Sequence, residues 1–415
     1  MKLLIICDMF PPAFAPRMGY LCKYLRKAGW EPIVVTEQID EDMYSFLTGY
    51  AEVTYVNYYR AKNRFLKRLE WTAIQLLDFF FNYKEKKMLK VVKGIVEKNQ
   101  FIGVLCSVYR TFPLPVAQKI AGKYHLPFVA DTRDIIEQYA SNEYIAHPVQ
   151  LLPCIDRKIT SLLTKRWLKK RNKALREANC ITTVSPWHVE MMRQYNSDVR
   201  LIYNGYDPEL FYPETIKTPE FRIVYTGRLV SLATRDPRVL FQAIQELADE
   251  HLIQPADFRV QWFMDKASWD TILPLVDEYG IADYMDYKGY VSADDIPHIL
   301  NNSSVLLQLA NKADENGPKG IMSTKLFEAF AVEKPVLCTR SDESFLEATI
   351  DEAHAGASAR TTQEAKDFLL NYYEEWKEKG YTSVNVNHEV VESFSREKQA
   401  EQFRQLFMEL KDRVQ

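Results

Sequence analysis

Four residues within one short stretch could together hold a negatively charged ligand: Ser323, Thr324, Lys325 and Glu328, in the segment GPKGIMSTKLFEAFAVEKPVLCT from Gly317 to Thr339. Ser323 is a good N-cap, Thr324 to Ala331 suit a helix, and Pro335 stops that helix before an apolar strand, Val336 to Cys338. The first backbone N–H groups of such a helix lack partners and carry its positive dipole end. They favour an anion, above all a diphosphate, with the Lys325 ammonium beside it. Glu328 follows Lys325 by three residues and Thr324 by four, on the same helix face, where a carboxylate can accept two hydroxyls of a ribose next to a bound phosphate chain. The same spacing also describes a plain surface ion pair, and the residues alone leave both readings open.

These groups need elements to hold them, and the chain supplies two sets. At 415 residues it is too long for one ordinary core, so two domains of roughly 200 residues each are expected. Lys2 to Cys7 is a continuous apolar run of the kind buried on both faces of a parallel sheet. A turn-rich segment, a helix over 17–28 ending at Gly29 and a strand at 32–35 follow it. Residues 63–98 read as helical, strands are expected at 103–107 and 127–130 around a helix over 115–124, and Asp131-Thr132-Arg133-Asp134 ends the second of these strands, where open α/β sheets place ligand sites. A basic helix over 157–176 leads to strands at 181–184 and 199–203, separated by a helix that Ser185 caps and Pro186 begins. After a linker at 211–218 the alternation resumes, with strands at 222–225, 257–263, 285–288 and 305–309. The last helix, capped by Ser395, carries Phe403, Leu406, Phe407 and Leu410 on one stripe.

The run STKLFEAFAVEKPVL resembles the nucleotide-sugar-binding segment of group 1 (family 4-like) glycosyltransferases of the GT-B fold, and further motifs extend the resemblance over nearly the whole chain. They are FPP and KAGW near the start, DTRD at 131–134, CITTVSPWHVEMM, LIYNGYDPELFYP, YTGRL at 225–229, and YKGYV at 287–291. The resemblance implies an α/β protein of two doubly wound Rossmann-like domains facing across a cleft, residues 1–203 with a returning helix at 395–415, and residues 204–394. It implies an enzyme that moves a sugar from a nucleoside-diphosphate-sugar donor to an acceptor hydroxyl with retention of configuration, needing no metal and no cofactor beyond the donor. Glu328 would bind the ribose, and Arg228, Lys325 and the helix N-terminus at Ser323 and Thr324 the diphosphate, with Gly227 beside Arg228 at the strand's end and Arg235 standing in for the usual lysine of that loop. Tyr290 and Val291 would lie against the base, Asn204 would stand at the domain boundary, and Arg17 and Gly19 would belong to a donor-side loop. The loop over 311–322 would close the pocket. Asp131 and Asp134 would orient the sugar or the acceptor hydroxyl, with Arg133 holding Asp134. Where many members carry a second glutamate, eight positions before Glu328, this chain has Gly320. That departure keeps open a non-catalytic nucleotide-sugar-binding subunit, and a nucleotide-sugar epimerase of related fold is a further alternative.

Composition narrows the partners. A net charge of -3 gives no global signal for nucleic acid. Asp40, Glu41 and Asp42 read as a solvated loop rather than a metal site, no GxGxxG follows the first strand, and His188 reads as a helix-surface residue. Six scattered cysteines suggest buried thiols in a reducing compartment. With no run of 18 apolar residues a cytoplasmic protein is expected. Two features point to peripheral association with the inner membrane face: cations bracketing Trp71 to Phe81, and the basic helix at 157–176. The acceptor would then be a glycan or a lipid-linked sugar in bacterial surface polysaccharide or glycan assembly.

Overall fold

The computed structural model describes residues 1–108, 110–138, 153–229, 231–312, 319–320 and 322–414, with the backbone alone at 153–157, 159 and 414. It forms two compact units, Met1–Tyr203 with Gln399–Gln415, and Asn204–Lys398. Five of the six cysteines are buried free thiols; the side chain of Cys154 lies outside the described residues.

The first unit runs β1 (Lys2–Cys7), α1 (Pro16–Lys27), β2 (Glu31–Glu37), β3 (Glu52–Val56), α2 (Arg64–Phe81), α3 (Tyr83–Val96), β4 (Val104–Val108), α4 (Leu114–Tyr124), β5 (Phe128–Thr132), α5 (Pro153–Glu177), β6 (Cys180–Thr183), α6 (Pro186–Met192) and β7 (Val199–Leu201). All neighbours pair in parallel in the order β3-β2-β1-β4-β5-β6-β7, so the winding reverses between β1 and β4. The central strands are apolar at almost every position because helices cover both faces. Residues 63–98 form two helices rather than one. Asn82 breaks them in the left-handed region (φ 53°), a conformation that asparagine tolerates, and the Asp78 carboxylate takes the Lys84 N–H at 2.8 Å.

The basic run on α5 presents fewer free cations than its sequence suggests. Arg171 is buried and bound to Glu137 and Tyr195, Lys170 is held by Asn82 and Glu85, and Arg166 donates to Asn82. The side chain of Arg157 lies outside the described residues.

The second unit repeats the design with β8 (Phe221–Thr226), α7 (Arg238–Asp249), β9 (Phe258–Phe263), α8 (Lys266–Glu278), β10 (Met285–Tyr287), α9 (Ile296–Asn301), β11 (Val305–Leu309), α10 (Thr324–Ala331), β12 (Val336–Thr339), α11 (Phe345–Glu352), β13 (Gly356–Ala359), α12 (Thr362–Lys379) and α13 (His388–Ser393). Its parallel sheet has the order β10-β9-β8-β11-β12-β13, and the winding reverses between β8 and β11. In open sheets of this kind ligands bind beyond the carboxyl ends of the strands at that reversal. The chain then returns to the first unit in α14 (Arg396–Val414), begun by the Ser395 hydroxyl accepting from Lys398 N–H at 3.2 Å. Phe403, Leu406, Phe407 and Leu410 join the core of Leu3, Ile5, Leu105 and Val129. Gly103 lets α14 sit close: a Cβ there would stand 2.7 Å from the Phe407 ring.

Candidate functional site

The second unit gathers most of the residues expected to bind an anion near the reversal point. β8 ends at Thr226, and Gly227 turns the chain with φ +105° while its N–H holds the Phe263 carbonyl at 2.8 Å. Lys325, at the second position of α10, lays its amine into the space beside this turn. A Cβ on residue 227 would lie 1.5 Å from Nζ, so glycine is required both by the backbone and by the lysine. The ammonium also faces the Tyr225 ring, 5.7 Å from its centre. Lys325 forms no ion pair among the described residues. Burial, then repulsion from Arg235, pushes its pKa down to about 8, with Glu328 pulling the other way.

Ser323 takes the extended backbone of an N-cap (φ -82°, ψ 155°), yet its hydroxyl makes no cap bond. Its Oγ is buried and has no hydrogen-bond partner among the described residues. Tyr225, Thr226, Arg235, Gln308, Ser323 and Lys325 supply the polar lining of a small cavity of about 20 Å³, room for one water or an equivalent atom group. One turn along α10, burial pushes the Glu328 carboxyl up to about 7 against the pull of Arg396 and Lys325. Glu328 accepts no hydrogen bond from the described residues. A half-buried amine, a hydroxyl whose oxygen is buried and a half-buried carboxyl, none with a hydrogen-bond partner among the described residues, lie on one turn and a half of helix.

The other expected donor residues divide. Arg235 reaches the cavity and donates to the Arg228 carbonyl. The Arg228 side chain is 74% exposed and pairs with Asp265 at 3.2 Å, at the rim. Tyr290 and Val291 lie in the loop between β10 and α9, neither lining the cavity, and Asn204 stands half-buried at the start of the unit, also away from it. Of the loop 311–322, residues 313–318 and 321 lie outside the described residues. Gly320 has φ +55°, and a Cβ there would meet Phe345 Cβ at 2.3 Å. With Phe345 packed against it at the start of α11, this position has no room for a side chain, glutamate included.

In the first unit several residues sit otherwise than expected. Asp131 is fully buried at the end of β5, where it accepts from Arg17 (2.9 and 3.1 Å), Ser107 (2.8 Å) and Thr182 (2.8 Å). Arg17, itself buried, also donates to the carbonyls of Ile202 and Tyr203 and faces the Phe403 ring. The two residues clasp α1, β5 and the end of the sheet to each other, and neither is presented to a ligand. Gly19 is not a loop residue: it lies inside α1, where a Cβ would meet Pro11 at 2.7 Å and Leu47 at 2.9 Å, so it serves packing. Arg133 pairs directly with Asp8 at 2.8 Å, and Asp134 acts on it only as a nearby charge, with no hydrogen bond between them among the described residues.

Asp134 is half-buried and accepts from Gln138 at 3.1 Å. The other end of the Gln138 amide meets His188 Nε2 at 3.0 Å. His188 is therefore no surface residue. It is 1% exposed, its Nδ1 has no hydrogen-bond partner among the described residues, and burial takes its pKa down to about 4 against the pull of Asp134 and Glu137. Ser185 caps α6 through the His188 N–H, which sets His188 and Met192, four residues apart, on the inward face. That spacing was the available signal. Asp40, Glu41 and Asp42 are exposed, and among the described residues no group of three or more His, Cys, Asp or Glu is placed to hold a metal.

No family model and no curated protein sequence matches this chain. Solved structures do. A sucrose-phosphate synthase from Thermosynechococcus elongatus superposes with TM-score 0.62 at 16% identity, over 99% of each chain. HepE from Anabaena, solved in complex with UDP, gives 0.62 at 14% identity over 99% of this chain and 100% of its own. A glycosyltransferase from Rickettsia africae gives 0.60 at 14% identity, over 99% and 98%. At such identities the common property is the fold, which is GT-B, with two Rossmann-like units.

Proposed function

We propose that this chain is a group 1 (family 4-like) glycosyltransferase that transfers a hexosyl group from a nucleoside-diphosphate sugar to an acceptor hydroxyl. The observation that carries this reading is α10, which sets the Lys325 amine, the Ser323 hydroxyl and the Glu328 carboxyl in one unit without a hydrogen-bond partner for any of them among the described residues. A donor supplies all three: diphosphate oxygens for the amine and the hydroxyl, ribose hydroxyls for the carboxylate. As the glycosidic bond to the diphosphate breaks, negative charge collects on the leaving oxygens. Lys325, Arg235 and the N-terminus of α10 stabilise it there, with Arg228 adding a screened charge from the rim. No protein nucleophile is required when a diphosphate oxygen helps deprotonate the acceptor on the same face, which gives retention. Asp134, through Gln138 and His188, is the remaining candidate to orient a hydroxyl in the first unit. The pathway is assembly of bacterial surface polysaccharide or a related glycan, and the acceptor a glycan or a lipid-linked sugar.

Calorimetric titration with a panel of nucleoside diphosphates tests the reading, with UDP first because HepE, alike in fold, was solved with it. One diphosphate should bind, and its sugar conjugate should be consumed only when an acceptor is present, giving a product of unchanged anomeric configuration. Isomerisation of the donor without acceptor would establish an epimerase instead. Tight binding without transfer to any acceptor would establish a binding subunit, and absence of diphosphate binding would refute the site.

A further inference from the structure

Helix α2 buries little: of its eighteen residues only Ile74 is fully buried, and Trp71, Gln75 and Phe79 are among the half-buried ones. Phe65, Leu69, Leu76 and Phe80 fall on one stripe along it, and Leu66 and Leu77 widen that stripe; the two terminal phenylalanines are 68% and 65% exposed. An apolar face of this length turned to water calls for something to cover it.

Charge identifies the cover. Lys62, Arg64, Lys67 and Arg68 are all exposed at the start of the helix. The carboxylate beside them, Glu70, is tied to the backbone N–H groups of Arg60 and Ala61. The face continues onto α5, where Arg166 lies 5.3 Å over the Phe79 ring and Leu162, one turn earlier, is 61% exposed between the exposed Lys158 and Lys165. A second copy seated antiparallel on this stripe by a twofold axis would set these cations over the far half of the other α2, where the carboxylate, Asp78, is already engaged by the Lys84 N–H, and would leave them unneutralised. An anionic surface with an apolar interior matches both the fringe and the stripe.

We propose that α2 and the adjoining face of α5 bind the surface of an anionic lipid bilayer, with α2 lying in the plane of the headgroups. No helix among the described residues is long and apolar enough to cross a membrane, so the attachment is interfacial. This surface does not depend on the proposed transferase activity; only the further step, that the bilayer presents a lipid-linked acceptor, rests on that reading.

Cosedimentation of the full chain with vesicles decides it. The protein should pellet with vesicles of phosphatidylcholine and phosphatidylglycerol, stay in solution with phosphatidylcholine alone, and be released by 500 mM salt. The pairs Lys67→Gln with Arg68→Gln, and Leu76→Glu with Phe80→Glu, should each weaken binding by about tenfold or more. All four side chains face solvent, so circular dichroism and nucleoside diphosphate affinity should match the parent protein. Three results would overturn the proposal: no pelleting at low salt, pelleting that both pairs leave unchanged, or a dimer by light scattering that Leu76→Glu with Phe80→Glu dissolves. Nucleotide binding is read separately, so a soluble but donor-binding protein refutes the membrane surface alone.

Discussion

Replacing Gly227 by alanine tests the anion site more sharply than removing any charged group, because it moves a charge without deleting it. The backbone at φ +105° is one that an L-residue adopts at a cost of about 1–3 kcal/mol. The new Cβ would also fall 1.5 Å from Lys325 Nζ and 2.5 Å from Cε, so the amine must leave its place beside the turn. A charge-assisted hydrogen bond to a phosphate contributes about 1.5–3 kcal/mol. Its loss raises the Kd for nucleoside diphosphate by about 10- to 150-fold. The assay is calorimetric titration of the parent, Gly227→Ala, Lys325→Ala and the double variant, with thermal unfolding run in parallel. The two single losses should not add, since each removes the same contact. Parent-like affinity in Gly227→Ala, or full additivity in the double variant, would refute the placement of the diphosphate.

Lys325→Ala should lower turnover by at least about tenfold, and Arg228→Ala by only about threefold, because the exposed Arg228 acts through water and shares its charge with Asp265; initial rates with saturating acceptor check both. Glu328→Gln should weaken nucleotide binding while Glu333→Gln leaves it unchanged, and pH separates them further. The carboxylate of Glu328 and the ammonium of Lys325 are both needed, so affinity should fall below about 7 and above about 8, and Glu328→Gln should remove the acid limb. The same raised pKa penalises ionisation in the folded state, so parental stability should decline relative to Glu328→Gln between pH 4.5 and about 7. Asp131→Asn breaks a buried pair and should cost about 3–5 kcal/mol, read as a lowered denaturant midpoint, whereas at exposed Asp40 the same change should be silent. Asp131 is held below its ordinary 3.8, since Arg17, Ser107 and Thr182 outweigh burial. Its stabilisation is therefore present above that pH and lost as the pH falls through the lower folded value.

What the sequence disclosed follows the density of its signals. Continuous apolar runs such as Lys2–Cys7 and Val305–Leu309 announced buried parallel strands, and both sheets were legible from them. β3 and β13 were not, because an edge strand reading EVTYV is mostly half-exposed and GASA carries no apolar bulk. The break at Asn82 was hidden because helical periodicity persists on both sides of a single left-handed residue. In the site, the spacing of Lys325 and Glu328 was readable as one helix face, but the contact of Lys325 with Gly227 joins residues 98 positions apart and needs the sheet order to appear. His188 was misjudged because a lone histidine says nothing about direction until its cap at Ser185 fixes the helix phase.

Two carboxylates show why motif and role can part. Asp131 and Glu328 both stand in segments that resemble ligand-binding motifs; Asp131 is fully buried and Glu328 half-buried. The protein surrounds Asp131 with Arg17, Ser107 and Thr182 as donors, and these outweigh burial and hold its pKa down. Glu328 receives no donor among the described residues, and burial pushes it up to about 7 despite two cations nearby. A carboxylate whose lone pairs are already filled has nothing left to offer a substrate. One left unfilled can still accept from a ligand, which is why the proposed binding function rests on α10 while Asp131 serves the packing of β5.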